Sequence, residues 1–162
     1  MNKKIIIVFA CVIVVVAIIL CVVFVTTKHI GLIYKGIEIN LTYSSLNFNY
    51  EQKNEKEGTL KSNNEEVQLK INDNLKDFYE SYNVLKDYRM MAYKGQEVEY
   101  NQIPCFYYYD SLENFYTVIA KINEESYLSI NVKPKENNNK NAEEIFNQKK
   151  IQKILNTLEI KQ

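Results

Sequence analysis

From Ile5 to Val25 the chain carries 21 consecutive apolar residues with no charge among them. As a helix rising 1.5 Å per residue, such a run is about 31 Å long, which matches a hydrocarbon core of about 30 Å. The sequence therefore predicts a transmembrane helix over residues 5–27. Lys3 and Lys4 precede the run, and basic residues on a short flank favour the cytoplasm. The expected layout is a cytoplasmic stub at 1–4, the helix, a juxtamembrane linker at 28–36 and an extracytoplasmic α+β domain at 37–162. The implied location is the cell membrane, single-pass, with the N-terminus cytoplasmic. A cleaved signal peptide fits less well, because its apolar region is shorter and ends at small residues; here Val25-Thr26-Thr27 follows.

Composition matters mainly for the remainder. About 39% of residues 28–162 are apolar, enough for a hydrophobic core without disulfides. Lys3 and Lys4 lie outside this part, so its acids outnumber its bases and its net charge is about −2. No basic surface is on offer, and nucleic acid is not an expected partner. Cys105 is the one cysteine beyond the apolar run, and its neighbours Ile103, Phe106 and Tyr107 mark it as a core thiol.

Period-two alternation dominates the domain. Ile37, Ile39, Leu41 and Tyr43 alternate with polar residues, as do Leu46, Phe48 and Tyr50, and Val67, Leu69 and Ile71. The period then changes: Leu75, Phe78, Tyr79, Tyr82, Leu85 and Tyr88 fall on one face of a helix, with Asp73 or Asn74 as its N-cap. Strands over 97–109, 115–122 and 127–133 follow, joined by short polar segments that imply an antiparallel meander. Asn141 and Glu144 fit a capping box opening a final helix that carries Ile145, Phe146, Ile151, Ile154, Leu155 and Leu158. Residues 159–161 are placed to add a short strand. The expected fold is α+β: an N-terminal transmembrane helix followed by one antiparallel sheet with two packed helices.

The opening Leu46-Asn47-Phe48-Asn49-Tyr50 strand, the Val67-Gln68-Leu69-Lys70-Ile71 strand, the meander and the closing Ile154-Leu155-Asn156-Thr157-Leu158-Glu159-Ile160 segment together resemble the PsbP/Mog1-like fold. Extracytoplasmic domains of small membrane-anchored proteins of low-GC Gram-positive bacteria often have it. Glu51-Gln52-Lys53-Asn54 stands where that family usually carries aromatic-Pro-x-x-Trp. The resemblance implies a binding or assembly role without catalysis and supplies no site residue.

The residues themselves offer little catalytic chemistry. His29 is the only histidine, so a Ser-His-Asp or Cys-His device is not expected. Metal ligation needs several Cys or His at short spacing, and no such cluster is written here. The pairs Glu65-Glu66, Glu124-Glu125 and Glu143-Glu144 read as solvated turns and a helix's first turn. Four well-separated glycines cannot form a phosphate loop. No catalytic, cofactor-binding or metal residues are therefore expected, and no cofactor.

The distinctive local feature is Phe106-Tyr107-Tyr108-Tyr109 with Phe115-Tyr116 beyond the next turn. Rings on consecutive strand residues must project to both faces of a sheet. One set belongs to a core, and Tyr107, Tyr108, Tyr109 and Tyr116 are the candidates for a partner-binding aromatic patch. The expected function is a single-pass, membrane-anchored binding or accessory protein that meets a protein partner or small ligand outside the membrane. The alternative is a structural subunit of a membrane assembly for secretion, conjugation or sporulation, or a membrane-anchored immunity protein.

Overall fold

The structure, a computed structural model, describes residues 3–73, 82–123, 126–136 and 140–161, with side chains in the first helix described from residue 11 onward. That helix, α1, spans Lys3–Thr26. Its end is closed from within: the Thr26 hydroxyl donates to the Val22 carbonyl at 2.8 Å and the Thr27 hydroxyl to that of Val23 at 2.7 Å. Its described apolar side chains are exposed, Phe24 to 86% and Val25 to 66%.

Two sequence expectations are corrected here. Among the described residues no helix is long and apolar enough to cross a membrane. The transmembrane helix over 5–27 is thus not supported, nor is the single-pass cell-membrane location with a cytoplasmic N-terminus. The second correction concerns the sheets. The architecture is α+β, but it holds two sheets and several helices in place of one sheet with two.

The smaller sheet orders β1 (Thr27–Tyr34), β2 (Ile37–Ser44) and β10 (Glu159–Lys161) as β1-β2-β10. β1 occupies most of the segment expected as a linker. It pairs with β2 along its length, through a two-residue turn in which Lys35 and Gly36 both have positive φ, 49° and 79°. Such a turn matches the right-handed twist of its strands, and Gly36 adopts it without strain.

The larger sheet has seven antiparallel strands: β3 (Asn49–Gln52), β4 (Glu57–Lys61), β5 (Glu65–Asn72), β6 (Gln96–Tyr100), β7 (Ile103–Asp110), β8 (Phe115–Lys121) and β9 (Tyr127–Pro134). Their order is β3-β4-β5-β9-β8-β7-β6. The meander expected from 97 to 133 has four strands, because the chain reverses at Asn101 and Gln102, again with φ positive at both. α2 (Tyr82–Tyr93) lies against β7. Leu75, Phe78, Tyr79 and the alternative cap Asn74 lie outside the described residues. The closing helix is two short ones, α3 (Ala142–Phe146) and α4 (Lys149–Leu155). Asn141 caps α3, its Oδ1 accepting from the Glu144 N–H at 2.8 Å.

Each strand of the larger sheet shows one face to the smaller sheet and to α3 and α4. Val67, Leu69, Ile130 and Val132 meet Leu32, Ile39, Ile145 and Ile151 there in one buried core. Cys105 belongs to this core, and burial pushes its thiol up to about 12. On the opposite face a second, smaller cluster of Tyr82, Phe106, Tyr108 and Ile119 sits beneath α2. The two sheets are also tied at one corner. The Asp73 carboxylate accepts from the Tyr34 hydroxyl at 2.8 Å, from Lys56 at 2.5 Å and from Lys35 at 3.2 Å. Asp73 thus serves this corner; the helix turns it was expected to cap lie outside the described residues.

Candidate functional site

The β7–β8 hairpin puts the four candidate tyrosines on the two faces of the sheet. Tyr108 is buried beneath α2, its ring centroid 5.3 Å from that of Tyr93 and 5.2 Å from the guanidinium carbon of Arg89. It is therefore removed from any exposed patch. Tyr107, Tyr109 and Tyr116 share the other face, because residues two apart on a strand project alike and Tyr109 pairs directly with Tyr116.

These three rings form a stack with a fourth that the sequence reading missed. Phe146, the last residue of α3, lies 4.5 Å from Tyr116, nearly parallel at 10°, and 5.2 Å from Tyr107. Tyr109 stacks on the far side of Tyr116 at 5.2 Å. The result is a ladder Tyr109–Tyr116–Phe146, anchored in the core at one end and open at the other, where Tyr109 is 37% exposed. Offset stacking of this kind adds about 0.5–1.5 kcal/mol per pair beyond area burial, which fixes the rings in place. The Asn141 cap was the available signal for Phe146, since it sets where α3 begins.

The hairpin turn completes the site. The Asp110 carboxylate accepts from the backbone N–H of Leu112 at 3.0 Å and of Glu113 at 3.3 Å. This lifts Leu112 into solvent, 88% exposed. Asn114, at φ 52°, closes the turn and accepts the Tyr109 hydroxyl at 3.1 Å. The Tyr107 hydroxyl is likewise engaged, donating to Gln96 Oε1 at 2.6 Å. Tyr116 differs: its hydroxyl makes no hydrogen bond among the described residues, and partial burial raises its pKa. One rigid ring with an open hydroxyl, flanked by an exposed ring and a projecting leucine, suits contact with another molecule.

Acidic pairs fall differently from expectation. Glu143 and Glu144 occupy the first turn of α3 as expected, and Glu124-Glu125 lies outside the described residues. Glu65, expected in a solvated turn, is fully buried at the start of β5. Its Oε1 accepts the Ser62 hydroxyl at 2.7 Å and pairs with Lys150, while Glu66 pairs with Lys133 at 3.4 Å. His29 is exposed, its Nδ1 3.1 Å from the Thr42 hydroxyl. Among the described residues no three His, Cys, Asp or Glu side chains stand together as metal ligands.

Comparison of the chain with known protein families, with curated proteins and with solved structures gives no match.

Proposed function

We propose that this chain is a binding module without catalysis, and that it takes a protein segment against the Tyr109–Tyr116–Leu112 surface. The observation that carries this reading is the Tyr116 ring: it is held rigid by Phe146 and Tyr109 while its hydroxyl lacks a partner among the described residues. A rigid aromatic with one polar end supplies contact area at low entropic cost, which is why tyrosine is enriched at interfaces.

Site-specific photocrosslinking in the native source tests it. A photoreactive residue at position 112 should yield one defined adduct that Tyr116→Ala abolishes, and the same residue at position 55, in the β3–β4 turn, should not. An adduct formed equally from both positions, or one indifferent to Tyr116→Ala, overturns the reading.

A structural subunit of a larger assembly is the second reading, and α1 favours it. Its side chains from Val12 to Val25 leave a run of large apolar groups uncovered by the domain, and apolar surface of that extent marks an interaction site. Equal sedimentation of the full chain and of a variant with Glu at 13, 16 and 20 would count against an assembly built through this helix.

A further inference from the structure

We propose that a cavity between the end of α1, β2 and α4 binds a small amphiphilic acid, a carboxylate or phosphate monoester with a short apolar body. This site is separate from the aromatic ladder and does not depend on it. The cavity measures about 280 Å³, near the lower bound of roughly 300 Å³ for pockets that take small molecules. Val23, Phe48 and Ile154 give it apolar wall, and Asn47, Lys150 and Lys153 give it donors. Both charged residues of its lining are lysines.

The buried Glu65 explains how one of these lysines is held. Lys150 ion-pairs with Glu65 Oε1 and stands 5.3 Å from the centroid of the Phe48 ring. Glu65 is fully buried, and its second oxygen, Oε2, has no hydrogen-bond partner among the described residues. It fixes Lys150 from the protein side. An ammonium carries three donors, so those not used by Glu65 remain for an occupant. Lys153, in the last turn of α4, is exposed and has no ion pair among the described residues.

Two lysines against one buried carboxylate leave about one positive charge, which a single acid headgroup neutralises and an amine would double. The Thr157 hydroxyl, also in the wall, already donates to Ile154 O at 2.7 Å and accepts from the Thr42 N–H at 2.8 Å. Headgroup recognition therefore falls to the lysines and Asn47, with Phe48 and Ile154 receiving the apolar body.

Titration of the full chain with hexanoate, hexyl phosphate, inorganic phosphate and hexylammonium tests this, read by amide chemical shifts. Both amphiphilic acids should shift residues 42–48 and 150–157 saturably, and the tighter of the two identifies the preferred headgroup. Inorganic phosphate should bind about tenfold more weakly than hexyl phosphate, and Lys153→Gln should weaken both acids about tenfold while leaving shifts elsewhere unchanged. Reading local amides separates this site from adsorption to α1. The proposal is overturned if hexylammonium binds as tightly as the acids, if inorganic phosphate matches hexyl phosphate, if Lys153→Gln changes nothing, or if no saturable shift appears at these residues.

Discussion

The two faces of the seven-stranded sheet are built from the same strands yet differ in kind. The inner face is apolar from Leu60 on β4 to Tyr100 on β6, because the smaller sheet, α3 and α4 cover it. The outer face is aromatic only beneath α2, at Phe106 and Tyr108. Away from α2 it carries a hydrogen-bonded surface instead: the Thr117 hydroxyl donates to Asn131 Oδ1 at 3.0 Å, and Asn72 Nδ2 donates to Ser129 Oγ at 3.0 Å. Alternation along a strand says which residues share a face, but the cover decides what that face must be made of.

The two faces meet most closely on β9, where neighbouring residues belong to opposite faces. Ile130→Ala, at a fully buried inner position, should destabilise the protein by about 2–5 kcal/mol in urea denaturation. Ser129→Ala on the outer face should cost only about 1 kcal/mol, the worth of its hydrogen bonds. Equal losses would mean that the two faces contribute alike.

Thr117→Val probes the outer face at a second position: it keeps the shape, removes the bond to Asn131, and should also cost about 1 kcal/mol. A gain in stability on this change would show that the outer ladder is dispensable.

The seam between the sheets responds to acid. Lys56, Tyr34 and Lys35 hold the Asp73 carboxyl well below its ordinary 3.8, at about 2. A depressed folded-state pKa contributes stability that is fully present above about pH 4 and is lost as pH falls toward 2. Asp73→Asn should flatten the acid limb of the stability profile in that window, and an unchanged limb would remove Asp73 from the seam.

The smallest effect is expected at Tyr116→Phe, within about 0.5 kcal/mol, because the hydroxyl has no hydrogen-bond partner among the described residues. The same change should nevertheless weaken the adduct formed through position 112. A large stability loss here would place Tyr116 with the core residues and not with the open end of the ladder.

How much of this was legible beforehand follows the range of each interaction. β2 and β5 were plain in their alternation, and the Asn141 cap in its spacing, because those signals are local. β1 was not, although Ile30 and Leu32 are buried in alternation; only these two such positions follow the long apolar run, too few to mark a strand. The β6–β7 turn was missed because neither Asn101 nor Gln102 is glycine, while both adopt positive φ. That two sheets face each other is a fact about distant residues and has no local signature. The tyrosines divided between faces as period two requires, but the partnership of Tyr116 with Phe146 depends on where α3 comes to rest. For Glu65 the polar neighbourhood suggested solvent, and only the arrival of Lys150 from α4 makes its burial tolerable.

The strand order carries a kinetic consequence. The centre of the large sheet pairs Val67 with Val132, and the small sheet is completed by pairing Asn40 with Glu159. The inner core is thus assembled from the most distant contacts in the chain, whose loop-closure entropy must be met before any of its apolar burial is gained. The β6–β7–β8 hairpins, by contrast, form from near neighbours. Refolding should therefore show the hairpin carrying the tyrosine ladder protected against hydrogen exchange early, with the rest following in a slower phase on the millisecond-to-second scale usual for sheets of high contact order.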